Sequence, residues 1–502
     1  FKGNNADLYE KSDDFETQRR KFEEQRVTAI REIFQQDGIE GIIRFSEFVI
    51  SPRSVGDTLA VIEDDIITHT LLPHFLTVSD KKHRELVNGY IFRHYHDKGW
   101  AWCDSIDKSH WTAVQIGFFL TCLPSIKETW DRASEWLPEH QQGEYWTRVD
   151  ANIYQANDDF SYVIQKFIEH GRPLIAIHYL DRVLNNLHSI DTSQCFQALF
   201  ALLSSNESIS SFDECEIAGL IKFLQSDPSA SQKDLFKIEW AYLSYLDGNR
   251  GANPIILEKS LANSPEFFCE MIQLIYRSDK EENPPKKTTE RSQRIAENAW
   301  RLLNNWLTPP GIQEDGSFNT THFTGWIQRV KALCEESGHL NAALRAIGGV
   351  LIYTPPDPSG LWINHVVATA LNERDAQKMR NGFVSAKHNL RGVHWIDPTG
   401  VPEKELAEEF SRKADAVENA GFQRFAEVVG DRFGRADLLR CQRHHDHQQQ
   451  RGDKGHERTN VDRIPEGAVR VTLAHDRGRR PANAIVGEEP DRDGPDGETA
   501  DE

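Results

Sequence analysis

The sequence predicts an all-α protein: an irregular α-solenoid of antiparallel helical pairs with a disordered C-terminal tail. Three observations predict it. Apolar residues recur at helical spacing in segment after segment. Period-two alternation bounded by hairpin turns, the mark of strands, is nearly absent. Pro and Gly gather in short turns between the periodic segments, where they end helices and do not break them.

Taken in chain order, Glu16–Gln36 carries Phe22, Ile30, Ile33 and Phe34 on a helical period. Asp80–Lys98 follows Ser79 as an N-cap and includes Leu86, Tyr90, Ile91 and Tyr95. Trp111–Leu123 is almost continuously apolar, which predicts an inner helix stopped by Pro124. The clearest pair is Asp158–Asn186. Phe160, Val163, Ile164, Phe167 and Ile168 form one stripe, and Ile175, Ile177, Leu180, Val183 and Leu184 form the next. Between them Gly171 stops one helix and Pro173 enters the first turn of the other. This predicts an αα-hairpin.

Further units follow at Ser193–Leu203 with Asp213–Leu224, Lys233–Leu246 with Pro254–Ala262, and Pro265–Tyr276 after a cap at Ser264. Later helices are expected at Ser292–Leu307, Thr321–Glu336, Leu340–Ile352, Leu361–Leu371 and Glu403–Phe433. Pro/Gly turns at 308–311, 354–358 and 397–400 separate them. The units follow no strict period of about 34 or 40 residues, so the array is irregular and no named repeat applies.

Domain organisation follows from composition. The 502 residues exceed what one compact core uses, with 12 Trp and 26 Phe available for burial. The charged, Pro-containing stretch Asp279–Glu290 marks a linker. It divides an N-terminal helical-repeat array, 1–278, from a C-terminal helical array, 291–433. The segment 434–502 contains no Phe, Tyr or Trp, and eleven Arg face the single Lys454. Such a composition cannot bury enough apolar surface to offset the entropy of ordering. Two readings fit it: a natural disordered tail, or the product of a shifted reading frame in GC-rich DNA.

Charge and cysteines narrow the function. A net charge of −20 argues against sequence-independent nucleic-acid binding, which needs Lys and Arg to neutralise phosphates. The seven cysteines include no CxxC pair, and isolated thiols in apolar surroundings predict a reducing, cytoplasmic location. The longest apolar stretch is too short for a membrane span. The chain starts at Phe1 without an initiator Met, and upstream domains of the same polypeptide are expected to be missing.

Motifs for chemistry are scarce. No GxxxxGK[ST], HExxH, GxSxG or GxGxxG signature occurs, so no cofactor is implied and no catalytic or metal residue is assigned. His94, His96 and Asp97 resemble a metal set, but residues two apart on a helix face different ways. Trp100 and Trp102 then serve to anchor the helix at Trp111–Leu123, or to bind a partner. Arg391–Gly400 reads first as an ordered loop, with Trp395 docked in the core and Asp397 starting the turn before the last helix. Arg391, His394 and Trp395 also suit a recognition loop, and His394 with Asp397 offers the alternative of a hydrolase-like site. Cys441, His444, His445 and His447 in the tail suit only adventitious zinc. Carboxylate pairs such as Asp64-Asp65 and Asp158-Asp159 stand at helix starts, where they complement the helix dipole.

The turn Ile168-Glu169-His170-Gly171-Arg172-Pro173 with its flanking helices resembles a TPR- or HEAT-like pair. So does Glu335–Leu340 leading into Ala342-Ala343-Leu344. More broadly, residues 1–433, the Arg391–Gly400 segment included, resemble the C-terminal helical region of large bacterial multidomain proteins of the STAND NTPase type. The resemblance implies a non-catalytic sensor portion that binds a protein or ligand, often in defence against phage, with NTPase and effector domains elsewhere. The expectation is therefore a protein-binding or ligand-sensing scaffold and not an enzyme. A hydrolase-like site near His394/Asp397 or His94/Asp97 and a purely structural spacer are the competing readings.

Overall fold

About half of the helices start on a side-chain cap, as the helix from Lys81 does on Asp80 and the helix from Pro265 on Ser264. A computed structural model describes residues 15–62, 64–77, 80–150, 160–186, 190–246, 252–281, 289–390 and 401–430. These form α-helices, short 3₁₀ turns and loops; the sole β feature among them is an isolated bridge between Ile312 and Phe318. The fold is all-α. No helix among the described residues is long and apolar enough to cross a membrane.

The chain divides into two compact units between Asp234 and Leu235. The first contains α1 (Phe15–Phe48), α2 (Pro52–Leu59), α3 (Asp65–Phe75), α4 (Lys81–Ser105), α5 (Ala113–Thr121), α6 (Lys127–Trp136) and α7 (Gly143–Trp146). It continues with α8 (Phe160–Glu169), α9 (Pro173–Asn185), α10 (Thr192–Ser204) and α11 (Ser211–Ser226). The boundary runs through α12 (Gln232–Ala241). The second unit goes on with α13 (Ile255–Asn263), α14 (Pro265–Ile275), α15 (Glu290–Asn304), α16 (Thr320–Ser337) and α17 (Leu340–Val350). It ends with α18 (His365–Asn372), α19 (Gln377–Asn389), α20 (Val401–Asn419) and α21 (Gln423–Val429).

The expected hairpin at Asp158–Asn186 forms as α8 and α9. Gly171 turns left-handed at φ 72° and Pro173 opens α9. Arg172, in the turn, donates to the carbonyls of Trp146 at 3.1 Å and Val149 at 2.6 Å, tying the hairpin to the end of α7. Ser264 caps α14 as expected, its Oγ accepting from Phe267 N at 3.1 Å.

Other boundaries differ from the sequence reading. Asp80 caps α4, accepting from His83 N at 2.9 Å, one residue later than Ser79. The segment Glu403–Phe433 is not one helix: Gly421 at φ 94° ends α20 and starts a new direction into α21. Residues 431–502, with Cys441 and the tail histidines, lie outside the described residues.

The division of the chain also differs from a break at 279–290. Helices on both sides of that stretch share one core, in which Leu257 and Phe268 are buried with Trp326, Ile347 and Phe425. The start of the stretch is docked on the turn after α16. There Asp279 N donates to Gly338 O at 2.8 Å and Ser278 Oγ to Ser337 O at 2.7 Å.

Buried charges of the second unit satisfy helix ends and the loop after α15. Glu239, fully buried, accepts from Ile256 N and Leu257 N, both 2.9 Å from Oε2, at the start of α13. Glu258 accepts from Leu307 N at 3.2 Å and Thr308 Oγ1 at 2.8 Å, while burial raises its pKa. Arg380 donates to the carbonyls of Leu371 and Glu373, each at 2.7 Å, where α18 ends. The unpaired amides and carbonyls of helix termini supply the partners that buried charges require.

The two most extensive helix contacts among the described residues are α2 with α4 and α17 with α19. Both are glycine crossings. A methyl group on Gly56 would lie 1.8 Å from Leu86 O, and one on Gly89 would lie 2.0 Å from Arg53 O. In the second unit a methyl on Gly348 would meet Met379 O at 1.9 Å, and one on Gly382 would meet Arg345 O at 2.0 Å. In each crossing, reciprocal glycines let two backbones touch where side chains would otherwise hold helix axes about 8–10 Å apart.

Candidate functional site

A left-handed glycine sets the site of interest. Gly99, at φ 60° and ψ −155°, kinks α4 and redirects its last turns, which carry Trp100, Trp102, Cys103 and Asp104. Trp102 turns inward. Its ring stacks on His94 at 4.5 Å and 15°, meets Tyr90 edge-on at 6.4 Å, and lies 6.2 Å from Phe119 of α5. This is the anchoring role that one of the two sequence readings gave it.

Trp100, half-buried like Trp102, faces α6. The Arg132 guanidinium of α6 lies 3.8 Å from the centre of its ring, and Tyr95 meets it edge-on at 5.2 Å. Arg132 also grips Asp104 in a bidentate fork, Nε to Oδ1 at 3.0 Å and Nη2 to Oδ2 at 2.8 Å. That pairing holds the Asp104 carboxyl below its usual pKa and raises the guanidinium's. Lys108 comes in from the loop after α4. Its ammonium donates to Ile106 O at 3.0 Å and to Cys103 O, capping the helix end, and lies 4.3 Å from the centre of the Trp136 ring. Partial burial lowers its pKa.

Asp104, Lys108 and Arg132, with Ile116, Glu135 and Trp136, line an open depression of about 480 Å³. Its lining combines the Trp136 ring and Ile116 with two cations and two carboxylates. Cations held over indole faces offer a partner flat apolar area next to fixed charge, the composition found at protein-binding hot spots. Cys103 is buried nearby, and burial pushes its thiol up to about 12. It is therefore a packing residue and not an activated nucleophile.

The other sequence-singled residues fall in three places. His94 is buried among Tyr90 and Trp102, whereas His96 is exposed on a different face, as two residues apart on a helix requires. Asp97 is engaged by Arg93 at 2.7 Å and His96 at 3.1 Å. Arg391, His394, Trp395 and Asp397 lie outside the described residues.

One cluster escaped the sequence reading. His178 of α9 is hydrogen-bonded through Nδ1 to Glu216 of α11, and its Nε2 lies 3.6 Å from Asp213 Oδ1. The Glu216 contact raises the imidazole pKa. Asp181, one turn along α9, has its carboxyl pKa raised by burial and by the Glu216 charge. Among the described residues this is the group whose His and carboxylate atoms could surround a metal ion. The signal in the sequence is a pair of i,i+3 spacings, His178–Asp181 and Asp213–Glu216, on helices that only the fold brings face to face.

Among the described cysteines, Cys215 is exposed, and Cys103, Cys122, Cys195, Cys269 and Cys334 are buried free thiols. Comparison with protein-family models, with curated proteins and with solved structures finds no match for this chain.

Proposed function

We propose that the chain is a protein-binding or ligand-sensing helical scaffold that works in the cytoplasm and leaves catalysis to other proteins or domains. The observation that carries this reading is the depression beside Trp100, where Arg132 and Lys108 lie over the Trp100 and Trp136 rings. Aromatic and arginine side chains at a concave, partly solvated surface are what partner-binding sites concentrate. The resemblance of the chain to sensor regions of STAND NTPase-type proteins points the same way. The acidic balance of −20 favours protein over nucleic-acid partners.

A photo-cross-linking residue placed at the exposed Glu135 tests it. In extracts of the source cell it should give one dominant adduct. Trp136→Ala should reduce that adduct at least tenfold at a temperature where its helicity matches wild type. An adduct pattern indifferent to Trp136 would leave this surface without a binding role and favour a structural spacer.

A further inference from the structure

We propose that His178, Asp213 and Glu216 bind one divalent transition-metal ion, with Asp181 at the border of the site. The case begins with helix geometry. Side chains three apart on a helix share a face. α9 thus presents His178 with Asp181, and α11 presents Asp213 with Glu216. Helical proteins build interior metal sites from carboxylates on one helix and an i,i+3 carboxylate–histidine pair on a facing one.

The distances fit. One ligand atom from each of His178, Asp213 and Glu216 lies within 4.8 Å of the other two. Metal bonds of about 2.0–2.2 Å in a tetrahedral site place ligand atoms roughly 3.3–3.6 Å apart, so the side chains draw in by about 1 Å around an ion. The Asp213 and Glu216 side chains are only 8% and 9% exposed, whereas His178 is 26% exposed. The carboxylates form the closed floor and the imidazole side is the entrance.

The surroundings also orient the ligands. Asp213 Oδ2 accepts from the backbone N–H of Ser210 at 2.6 Å, which leaves Oδ1 turned to His178. Asp181 is steadied through Oδ2 by Asn185 Nδ2 at 2.7 Å. Its Oδ1 faces α11, 3.5 Å from where a side chain would start at Gly219. Outer contacts of this kind fix ligand orientation in metal sites. The donor set, one imidazole with two or three carboxylates, suits zinc, manganese, iron(II) or cobalt(II) better than calcium, which takes oxygen ligands alone.

The test is titration of the full chain with Co²⁺, read by its visible ligand-field absorption, followed by displacement with Zn²⁺. Histidines elsewhere, including His444, His445 and His447, also attract ions, so the readout is the difference between wild type and variants. Wild type should bind one more equivalent of Co²⁺ than either His178→Gln or Glu216→Gln, with at least a tenfold loss of affinity at that equivalent. Zn²⁺ should raise the unfolding midpoint of wild type and not of these variants. Should a variant fail to fold, Asp181→Asn, at the edge of the site, should still weaken the same equivalent. Equal stoichiometry and equal Zn²⁺ response across folded variants would overturn the proposal. The cluster would then be a plain imidazole–carboxylate ion pair joining α9 to α11.

Discussion

The α2/α4 crossing of the first unit and the α17/α19 crossing of the second solve one packing problem with the same residues. Arg53-Ser54-Val55-Gly56 matches Arg345-Ala346-Ile347-Gly348, and Asn88-Gly89-Tyr90-Ile91 matches Asn381-Gly382-Phe383-Val384. The glycines are 33 positions apart in one unit and 34 in the other, and one helix, α3 or α18, lies between the partners. Leu59 and Leu351, each three residues after the first glycine, are fully buried. The Oδ1 atoms of Asn88 and Asn381 are both buried without a hydrogen-bond partner. The difference comes one residue after the second glycine. Tyr90 sends its hydroxyl to Thr68 of α3 at 2.7 Å, whereas Phe383 packs against Trp362 at 6.3 Å and Phe425 at 5.4 Å. The shared residues set how closely the helices approach, and the aromatic position sets what each crossing is tied to.

If the two crossings are equivalent, Gly56→Ala, Gly89→Ala, Gly348→Ala and Gly382→Ala should each cost about 3 kcal/mol, because the new methyl meets backbone that cannot swing aside. Urea unfolding followed by hydrogen exchange would locate each loss in its own unit. A large loss confined to one unit would break the comparison.

The aromatic position sharpens it. Phe383→Tyr places a hydroxyl among buried rings and should cost about 1–3 kcal/mol, whereas Tyr90→Phe, which removes the bond to Thr68, should cost about 1 kcal/mol. Equal costs would mean that the two surroundings are alike after all.

The pH dependence separates them further. Burial pushes the Tyr90 phenol up to about 12, against an ordinary value near 10. The unfolded chain therefore ionises first. Stability contributed by Tyr90 is fully present below about pH 10 and is lost as pH rises toward about 12. The advantage of wild type over Tyr90→Phe in urea unfolding should shrink across that window. A constant difference would show that the phenol is not held neutral.

The smallest effect tests the crossing at its edge. Gly349, beside Gly348, has only Ala386 Cβ at 4.0 Å from where its side chain would begin. Gly349→Ala should stabilise by about 0.5–1 kcal/mol through lower unfolded-chain entropy. Destabilisation there would mean that the helices sit closer than the Gly348 contact alone requires.

Much of the fold was legible. The α8/α9 hairpin could be read from two apolar stripes and Gly171-Arg172-Pro173, because stripes, stops and caps are local. α19 escaped notice: Asn381-Gly382 in its middle is a turn-forming dipeptide by local preference, and only close packing on Arg345 makes it helical. The break at Gly421 was missed because apolar residues continue in helical spacing across it. Of the candidate site, Trp100 and Trp102 were identifiable from composition. Arg132, Lys108 and Trp136, which complete it, come from other elements and carry no motif.

By itself the sequence determined the all-α class, most helix starts and the acidic surface balance, since periodicity, capping and charge belong to neighbouring residues. The tertiary structure alone decided which glycines meet backbone and which do not, that Arg132 covers Trp100, and that His178 faces Asp213 and Glu216. Those pairings join residues tens of positions apart. Their energy depends on distances of a few ångströms that no local pattern encodes.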